Sequence, residues 1–305
     1  MPYFMRKVPG LGYHIWEMND IAAYRLGVTN PEGGPEYFKA DPGKTAMETL
    51  KDKVPAWFLL GEEQFTKTIL SPGQLYPRIA RPSAYHPSDF PRSPVNPHND
   101  ENFIAVARSQ LMALTRQLEL ICQTVHPCPD TFGTFGHSIR SLLVLACTEV
   151  ETHWRGVLAA NHYAGDQYKT KDYVLLQEAM RLGDYAVGFP AFPWLHPLRP
   201  FEGWDKAAPT KTLPWYAAYN AVKHDREREF SRATLLNVFN AVSACMIMMV
   251  AQFGTISGLG RNTEIDAFFH LSSWPIWSLA DVYLPLFDVT AGDQLQVNYP
   301  FIVCS

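Results

Sequence analysis

The sequence predicts a mainly α-helical protein, a helical bundle with irregular extensions at both ends. Two long segments in the middle of the chain repeat apolar residues at three- and four-residue spacing, and a third segment, 233–253, carries no formal charge. Both patterns are typical of helices that pack against one another. Proline and aromatic residues are concentrated outside these segments, which predicts irregular ends.

These changes in composition divide the chain into three parts. We expect an irregular N-terminal arm over residues 1–98, a helical bundle over 99–257 with a small insertion at 184–214, and a C-terminal cap over 258–305. Proline lacks a backbone donor and breaks helices and central strands, so the proline-rich run 79–97 can form neither.

The elements follow in chain order. In the arm, 13–16 and 54–60 could form short strands, and 44–53 a short helix. In the bundle, helical periodicity predicts the helices 105–125, 136–161, 171–182, 215–224 and 233–253. The insertion could hold a small hairpin.

The uncharged segment 233–253 is long enough to span a bilayer. It is the only stretch of this kind in the sequence. It also contains four polar side chains whose transfer into hydrocarbon costs free energy: Asn237, Asn240, Ser243 and Gln252. We therefore expect a buried central helix and no membrane association. The start of the chain does not resemble a secretory signal, and five cysteines form no disulfide or zinc pattern, so we expect a cytoplasmic protein.

The richest cluster of polar residues lies in the segment 215–230. Asn220 and His224 are four residues apart and share one helix face, with Lys223 beside them. Imidazole exchanges protons near neutral pH, and the cations Lys223, Arg226 and Arg228 suit a phosphate. The alternative is that Asn220 and His224 cap and cross-link buried helices, while the alternating acidic and basic residues after them form an ordinary solvated helix face.

The pattern Asn220-x-x-Lys223-His224-x-Arg226 resembles the HEPN superfamily (higher eukaryote and prokaryote nucleotide-binding). The chain also resembles uncharacterised bacterial proteins that share a PWYxAYNAVKHDRE segment. The resemblance implies a HEPN-like bundle over about 100–255 that binds RNA or a nucleotide, either without cleavage or as a metal-independent ribonuclease in bacterial stress or phage defence.

The resemblance also implies roles for individual residues. His224, Asn220 and Lys223 would be catalytic, while Arg226, Arg228, Tyr219 and Glu149 would bind or face the substrate. Tyr219 occupies the position at which the resembling nucleases carry an arginine, and that arginine would stabilise charge on the scissile phosphate.

Two alternatives to a nuclease remain open. One is a non-catalytic structural or partner-binding protein in which the polar residues of 215–230 form a buried network; the net charge of −4 favours it. The other is a metal site built from Glu149, His153 and His224, but this chain lacks a repeated Glu-x-x-His motif. We therefore predict no metal and no cofactor, and expect a homo-oligomer or a protein partner.

Overall fold

The structure is a computed structural model that describes residues 2–8, 12–26, 36–54, 64–84, 101–165, 167–255, 259–260, 263–284 and 297–298. The strands are β1 (Tyr3–Val8), β2 (Gly12–Met18), β3 (Ala22–Arg25), β4 (Tyr37–Lys39), β5 (Thr66–Lys67), β6 (Gln74–Leu75), β7 (Ala186–Gly188), β8 (His270–Ser273) and β9 (Val297–Asn298). The helices are α1 (Ala46–Lys53), α2 (Glu101–Thr124), α3 (His137–Ala160), α4 (Thr170–Tyr173), α5 (Leu175–Ala179), α6 (Pro214–His224), α7 (Arg226–Glu229), α8 (Leu235–Gly254) and α9 (Thr263–Phe268).

The chain folds into two compact units. The first comprises 1–75, 81–95 and 276–299, and the second comprises 76–80, 96–275 and 300–305.

The first unit is built on a five-stranded antiparallel sheet in the order β4-β3-β2-β1-β5. The side chains of Trp16, Phe65 and Leu50 form its core between the sheet and α1. A capping box of Thr45 and Glu48 begins α1. Aromatic residues of the N-terminal segment, among them Trp16 and Phe65, therefore pack in the core of this sheet.

This sheet corrects the predicted fold class. The protein is mixed, 49% helical and 15% strand, and not a plainly helical bundle with an irregular N-terminal extension. The strands are short and pair over long sequence distances, as β1 does with β5. The alternation of apolar and polar residues therefore covers too few positions to predict the sheet. Of the two strands considered for the arm, 13–16 lies within β2, while most of 54–60 lies outside the described residues.

The second unit contains the long helices. The prediction that 105–125, 139–158 and 235–252 are helical and mutually packed is confirmed, with α2 ending at Thr124. Trp154 of α3 lies at the centre of an aromatic cluster, with its ring stacked 4.9 Å from that of Trp204 and surrounded by Tyr173, Phe201, Trp215 and Tyr216. This cluster fixes α6 and the insertion against α3.

Shorter elements complete the second unit. The predicted helix 171–182 is two short helices, α4 and α5, because Val174 interrupts it. In the insertion, β7 pairs with β8, and Val187 also forms an antiparallel bridge with Leu198. The predicted irregular C-terminal extension is also corrected, because α9 and β8 lie within it.

Of the described helices, only α8 is long and apolar enough to cross a membrane, and most of it is buried within the protein. Two of its amide side chains bond within the helix: Asn240 Nδ2 donates to the backbone oxygen of Leu236 and Gln252 Nε2 to that of Met248, each one turn earlier. The core helix of a globular unit has these same properties.

Candidate functional site

Helix α6 carries most of the sequence-predicted site residues. Pro214 occupies its first turn, where a missing backbone donor costs nothing. Its buried face consists of Trp215, Tyr216, Ala218, Tyr219 and Val222. It ends at His224, and Asp225 then caps α7 by accepting a hydrogen bond from the backbone nitrogen of Arg228.

Tyr219 and Lys223 form a hydrogen-bonded pair on α6. Tyr219 is 1% exposed, and Lys223 Nζ donates to its hydroxyl at 2.8 Å. This hydrogen bond raises the pKa of Lys223. The residue at the position of the family's arginine is therefore a core side chain whose hydroxyl is bound by the predicted catalytic lysine.

Tyr216 makes the contact between α6 and the acidic helix α3. Its hydroxyl donates to Glu151 Oε1 at 2.6 Å, and burial, followed by this hydrogen bond, raises the pKa of Tyr216. Arg155 of α3 binds the Tyr173 hydroxyl, which raises the pKa of Arg155. We call Glu151, Tyr216, Tyr219 and Lys223 the α6 polar cluster.

Asn220 and His224 do not join this cluster. Asn220 Nδ2 donates to the backbone oxygen of Tyr216, 3.1 Å away on its own helix. His224 is exposed at the end of α6, and none of the described residues forms a hydrogen bond or ion pair with it. Arg226 and Arg228 are also exposed, with Arg228 Nε 3.9 Å from Asp225 Oδ2.

Glu149 takes part in a different network, between α3 and α8. His153 Nε2 lies 3.4 Å from Glu149 Oε1, and Gln252 Nε2 lies 2.8 Å from His153 Nδ1. Gln252 Oε1 accepts from Arg78 Nε at 2.8 Å. We call Arg78, Gln252, His153 and Glu149 the α3–α8 network.

The hydrogen bonds of this network define the state of His153. Gln252 uses its oxygen for Arg78 and its amide hydrogens for His153 Nδ1 and a backbone oxygen. His153 Nδ1 is therefore an acceptor, and the ring carries its hydrogen on Nε2, facing Glu149. Complete burial lowers the pKa of His153, so the imidazole is neutral.

Gly156 makes room for the guanidinium of Arg78. A Cβ atom at position 156 would lie 2.1 Å from Arg78 Nη1. Arg78 has a backbone φ of 56°, in the left-handed region, and its guanidinium carbon stacks 4.1 Å from the centre of the Phe103 ring. The glycine therefore allows an arginine to pack closely against α3.

The two networks separate the residues that were expected to act together. Glu149 faces His153, whereas Lys223 lies near Glu151, two residues further along α3. Among the described residues, no group of three histidine, cysteine, aspartate or glutamate side chains could hold a metal ion. Glu149, His153 and His224 thus do not form the metal site considered from the sequence.

Sequence reasoning missed the partners that complete these networks. Glu151 and Tyr216 lie on segments that the sequence predicts to be helical, and their helical phase is the available signal. Arg78 and Gln252 are far apart in sequence, and Arg78 comes from a proline-rich segment without periodicity. No pattern in the sequence indicates that Arg78 and Gln252 are in contact.

A groove of about 680 Å³ opens between the end of α2 and the start of α3. Leu120 and Phe135 line it and are 61% and 50% exposed. The other lining residues are a glycine and residues with hydroxyl, amide, imidazole or aliphatic side chains, and none is an acidic residue, lysine or arginine. The groove therefore presents an uncharged, partly apolar surface.

The outward faces of α2 and α3 continue this surface. An uncharged stripe of side chains runs along both helices, and we call it the α2–α3 face. Its members are Val106, Gln110, Ala113, Gln117, Leu120 and Thr124 on α2, and Ser138, Ser141, Leu145, Thr148 and Thr152 on α3. The charged residues of α2 lie elsewhere: Arg116, for example, binds Glu264 of α9. Val106, at 70%, is more exposed than Leu120.

The comparisons with known proteins supply no relative: no family model, no curated protein and no solved structure matches the chain.

Proposed function

We propose that this chain is a non-catalytic protein-binding protein, whose α2–α3 face holds the partner and whose α6 polar cluster stabilises the packing of α6 on α3. The observation that carries this proposal is the uncharged stripe over 106–124 of α2 and 138–152 of α3, on which Val106 and Leu120 remain largely exposed.

A solvated helix face normally carries charged side chains, because water solvates them and they keep the protein soluble. The cores of protein interfaces are instead depleted in charge. Each exposed leucine or valine gains about 25 cal/mol per Å² of apolar area that a partner covers. An uncharged face over two neighbouring helices is therefore best explained by a protein that covers it.

Two hydroxyl groups on this face are already satisfied within α3. The hydroxyl of Thr148 donates to the backbone oxygen of Val144, and that of Thr152 donates to the backbone oxygen of Thr148. These hydroxyls already have acceptors within α3, so a partner can cover their methyl groups without leaving a donor unsatisfied.

The α6 polar cluster supports a stabilising role for Lys223, which the resemblance made catalytic, and for Tyr219, which it placed at the substrate. Tyr219 is buried, its hydroxyl is occupied by Lys223, and Asn220 is bound to its own helix. A general base needs to reach the proton that it removes, and an electrostatic stabiliser needs to reach the developing charge. Tyr219 is held in the core with its hydroxyl bound by Lys223, so it does not reach a substrate in this way.

The proposal is tested by measuring the size of the complex that contains the chain in extracts of its own cells. An epitope-tagged wild-type chain should elute from a sizing column well above its monomer position. Leu120→Glu should move it to the monomer position, because a buried unpaired charge opposes association. Ala105→Glu, an exposed position of α2 outside the face, is the matched control and should elute like wild type. A wild-type chain at the monomer position would contradict the proposal.

RNA binding without cleavage is a second candidate, favoured by the exposed cations of the α6–α7 turn. The cations are Arg226 and Arg228, and the Phe230 ring that follows contacts the rings of Phe135 and His137 at 6.0 and 5.0 Å. Cations that hold phosphates next to exposed aromatic rings suit single-stranded RNA.

This candidate is tested by the fluorescence anisotropy of a labelled single-stranded RNA titrated at several salt concentrations. Two phosphate contacts should contribute roughly 1.4 to the slope of log affinity against log salt, and Arg226→Gln with Arg228→Gln should remove that contribution. Lys171→Gln with Lys211→Gln removes the same charge from exposed positions elsewhere and should leave the slope unchanged. Equal effects of both pairs, or no binding, would exclude the α6–α7 turn as an RNA site.

A further inference from the structure

We propose that the cleft between α2 and α9 is a binding site for an α-amino acid with an apolar side chain. Arg116 holds the carboxylate of this ligand, Glu119 holds its ammonium group, and the cleft takes its side chain. The cleft shares no residue with the α2–α3 face, so the inference goes beyond the proposed function and does not depend on it.

The cleft has the size and the apolar lining of a site for a small ligand. Its volume is about 380 Å³, near the lower end of the range of about 300–1,000 Å³ that is usual for ligand sites. Ile265 and Phe268 of α9 line it with 0% and 4% of their surfaces exposed, and Met112 of α2 adds further apolar surface. Thr115 is buried there too, and its hydroxyl donates to a backbone oxygen of its own helix. The buried part of the lining is therefore suited to an apolar side chain.

Charged groups of both signs complete the lining on the solvent side. They are Arg116 and Glu119 on α2 and Glu264 on α9, and all three side chains are exposed. Met112, Arg116 and Glu119 follow one another at four- and three-residue spacing, which places them on one side of α2. Apolar surface, a guanidinium and carboxylates thus meet in one cleft.

Glu264 orients the guanidinium of Arg116 and leaves part of it available. Arg116 Nε donates to Glu264 Oε2 at 3.0 Å, and Arg116 Nη2 donates to both carboxylate oxygens at 2.9 and 2.7 Å. Arg116 Nη1 forms no hydrogen bond with the described residues. A guanidinium carries two of its five N–H donors on this atom, so the ion pair fixes an arginine that still has donors for a ligand carboxylate.

Glu119 supplies a carboxylate for the other charge of the ligand. None of the described residues forms a hydrogen bond or an ion pair with it. Arg116 lies three residues away on the same face of α2, within reach of an ion pair, but it binds Glu264 instead. Glu119 is therefore open to an ammonium group beside the arginine that takes the carboxylate.

Only a ligand with both charges uses all of these groups. An apolar acid without an ammonium group brings its carboxylate close to Glu119 and Glu264, and like charges at this distance repel. An apolar amine without a carboxylate leaves Arg116 Nη1 without an acceptor. A zwitterion pairs each of its charges with a group of opposite sign, which is why an amino acid fits best.

The experiment is isothermal titration calorimetry of the purified full chain at low salt. The probes are L-leucine and L-phenylalanine, with analogues that lack the ammonium group (4-methylpentanoate and 3-phenylpropanoate) or the carboxylate (3-methylbutylamine and 2-phenylethylamine). At least one of the two amino acids should bind at millimolar concentration or below. Its two analogues should bind at least about tenfold more weakly, because each loses a hydrogen bond between charged groups.

Two variants assign the contacts. Arg116→Gln should weaken the binding of the amino acid at least about tenfold without weakening that of the amine analogue. Glu119→Gln should weaken the amino acid to a similar extent without weakening the acid analogue. Both positions are exposed, so both variants should melt within a few degrees of wild type. Glu227→Gln removes a negative charge from an exposed position of α7 outside the cleft; it is the matched control and should bind like wild type.

Three results would overturn this site. They are the absence of binding by both amino acids at millimolar concentration, binding that neither Arg116→Gln nor Glu119→Gln weakens, and an equal loss of binding in Glu227→Gln. None of these results bears on the protein partner of the α2–α3 face, which the extract experiment tests separately.

Discussion

Lys223 Nζ lies 2.8 Å from the hydroxyl oxygen of Tyr219, one turn earlier on the same helix. The tyrosine is a core residue, whereas the lysine reaches it from the exposed surface. The lysine therefore supplies a hydrogen bond to a buried hydroxyl, and the pair stabilises α6 as it packs on α3.

The first prediction concerns this pair. Lys223→Met removes the donor and should lower the free energy of unfolding by about 1–2 kcal/mol, since a buried hydroxyl loses its partner. In a Tyr219→Phe background the same change should cost less than half as much, because no hydroxyl remains. Urea unfolding of the four proteins measures the coupling. Equal costs in both backgrounds would show that the pair contributes nothing to stability.

The second prediction concerns His224, which is exposed and forms no hydrogen bond with the described residues. His224→Ala should change the free energy of unfolding by less than about 0.5 kcal/mol, as is usual for surface substitutions. The proposed function also expects no RNA cleavage by either protein at low salt without metal. A wild type that cleaves RNA beside an inactive, fully folded His224→Ala protein would restore the ribonuclease hypothesis.

The third prediction concerns Gly156 and Arg78. Gly156→Ala places a Cβ 2.1 Å from Arg78 Nη1, so the guanidinium must move away from Gln252 and Phe103. We expect a loss of about 1–3 kcal/mol in thermal or urea unfolding. In an Arg78→Ala background most of this loss should disappear, because the clash is removed. A cost that is unchanged in that background would mean that the clash is not its cause.

The fourth prediction is a dependence of stability on pH at His153. Burial lowers the pKa of native His153, while the unfolded value is about 6.5. Below about pH 6.5 the unfolded chain binds a proton that the native chain does not, so stability falls as the pH falls, until the pH reaches the lowered native pKa. The slope approaches about 1.4 kcal/mol per pH unit for one proton.

The environment of His153 shows which groups set this behaviour. Glu149 on α3 favours the protonated ring, Arg78 opposes it, and the neutral Gln252 and Phe103 also contact the ring. Because other groups also titrate, the test compares wild type with His153→Gln in urea unfolding at pH 7.5 and pH 5. Wild type should lose more stability over this interval than the variant. Equal losses would contradict the prediction.

Local patterns in the sequence predict the long helices and the residues that share a face of α6. Packing between distant segments decides the rest. The sheet of the first unit depends on pairing between strands of two to seven residues, and the contact of Arg78 with Gln252 joins segments 174 residues apart. The alternation and periodicity of a single segment carry no information about such pairs.

The candidate site shows the same division. Asn220, Lys223 and His224 are neighbours in sequence, and their spacing correctly indicates a common stretch of helix. Their roles depend on α3, because Glu151 binds Tyr216 while Glu149 turns toward His153 and α8. Glu149 and Glu151 are only two residues apart on α3, yet they point to different helices and belong to different networks.

The central claim is that the α2–α3 face is covered by a protein. Its most direct test is a photo-reactive amino acid placed at position 120 of the full chain in its own cells, with position 105 as the matched control. Irradiation should give a cross-linked, protein-sized adduct from position 120 and little or none from position 105. Adducts of equal yield at both positions, or none at position 120, would contradict the account.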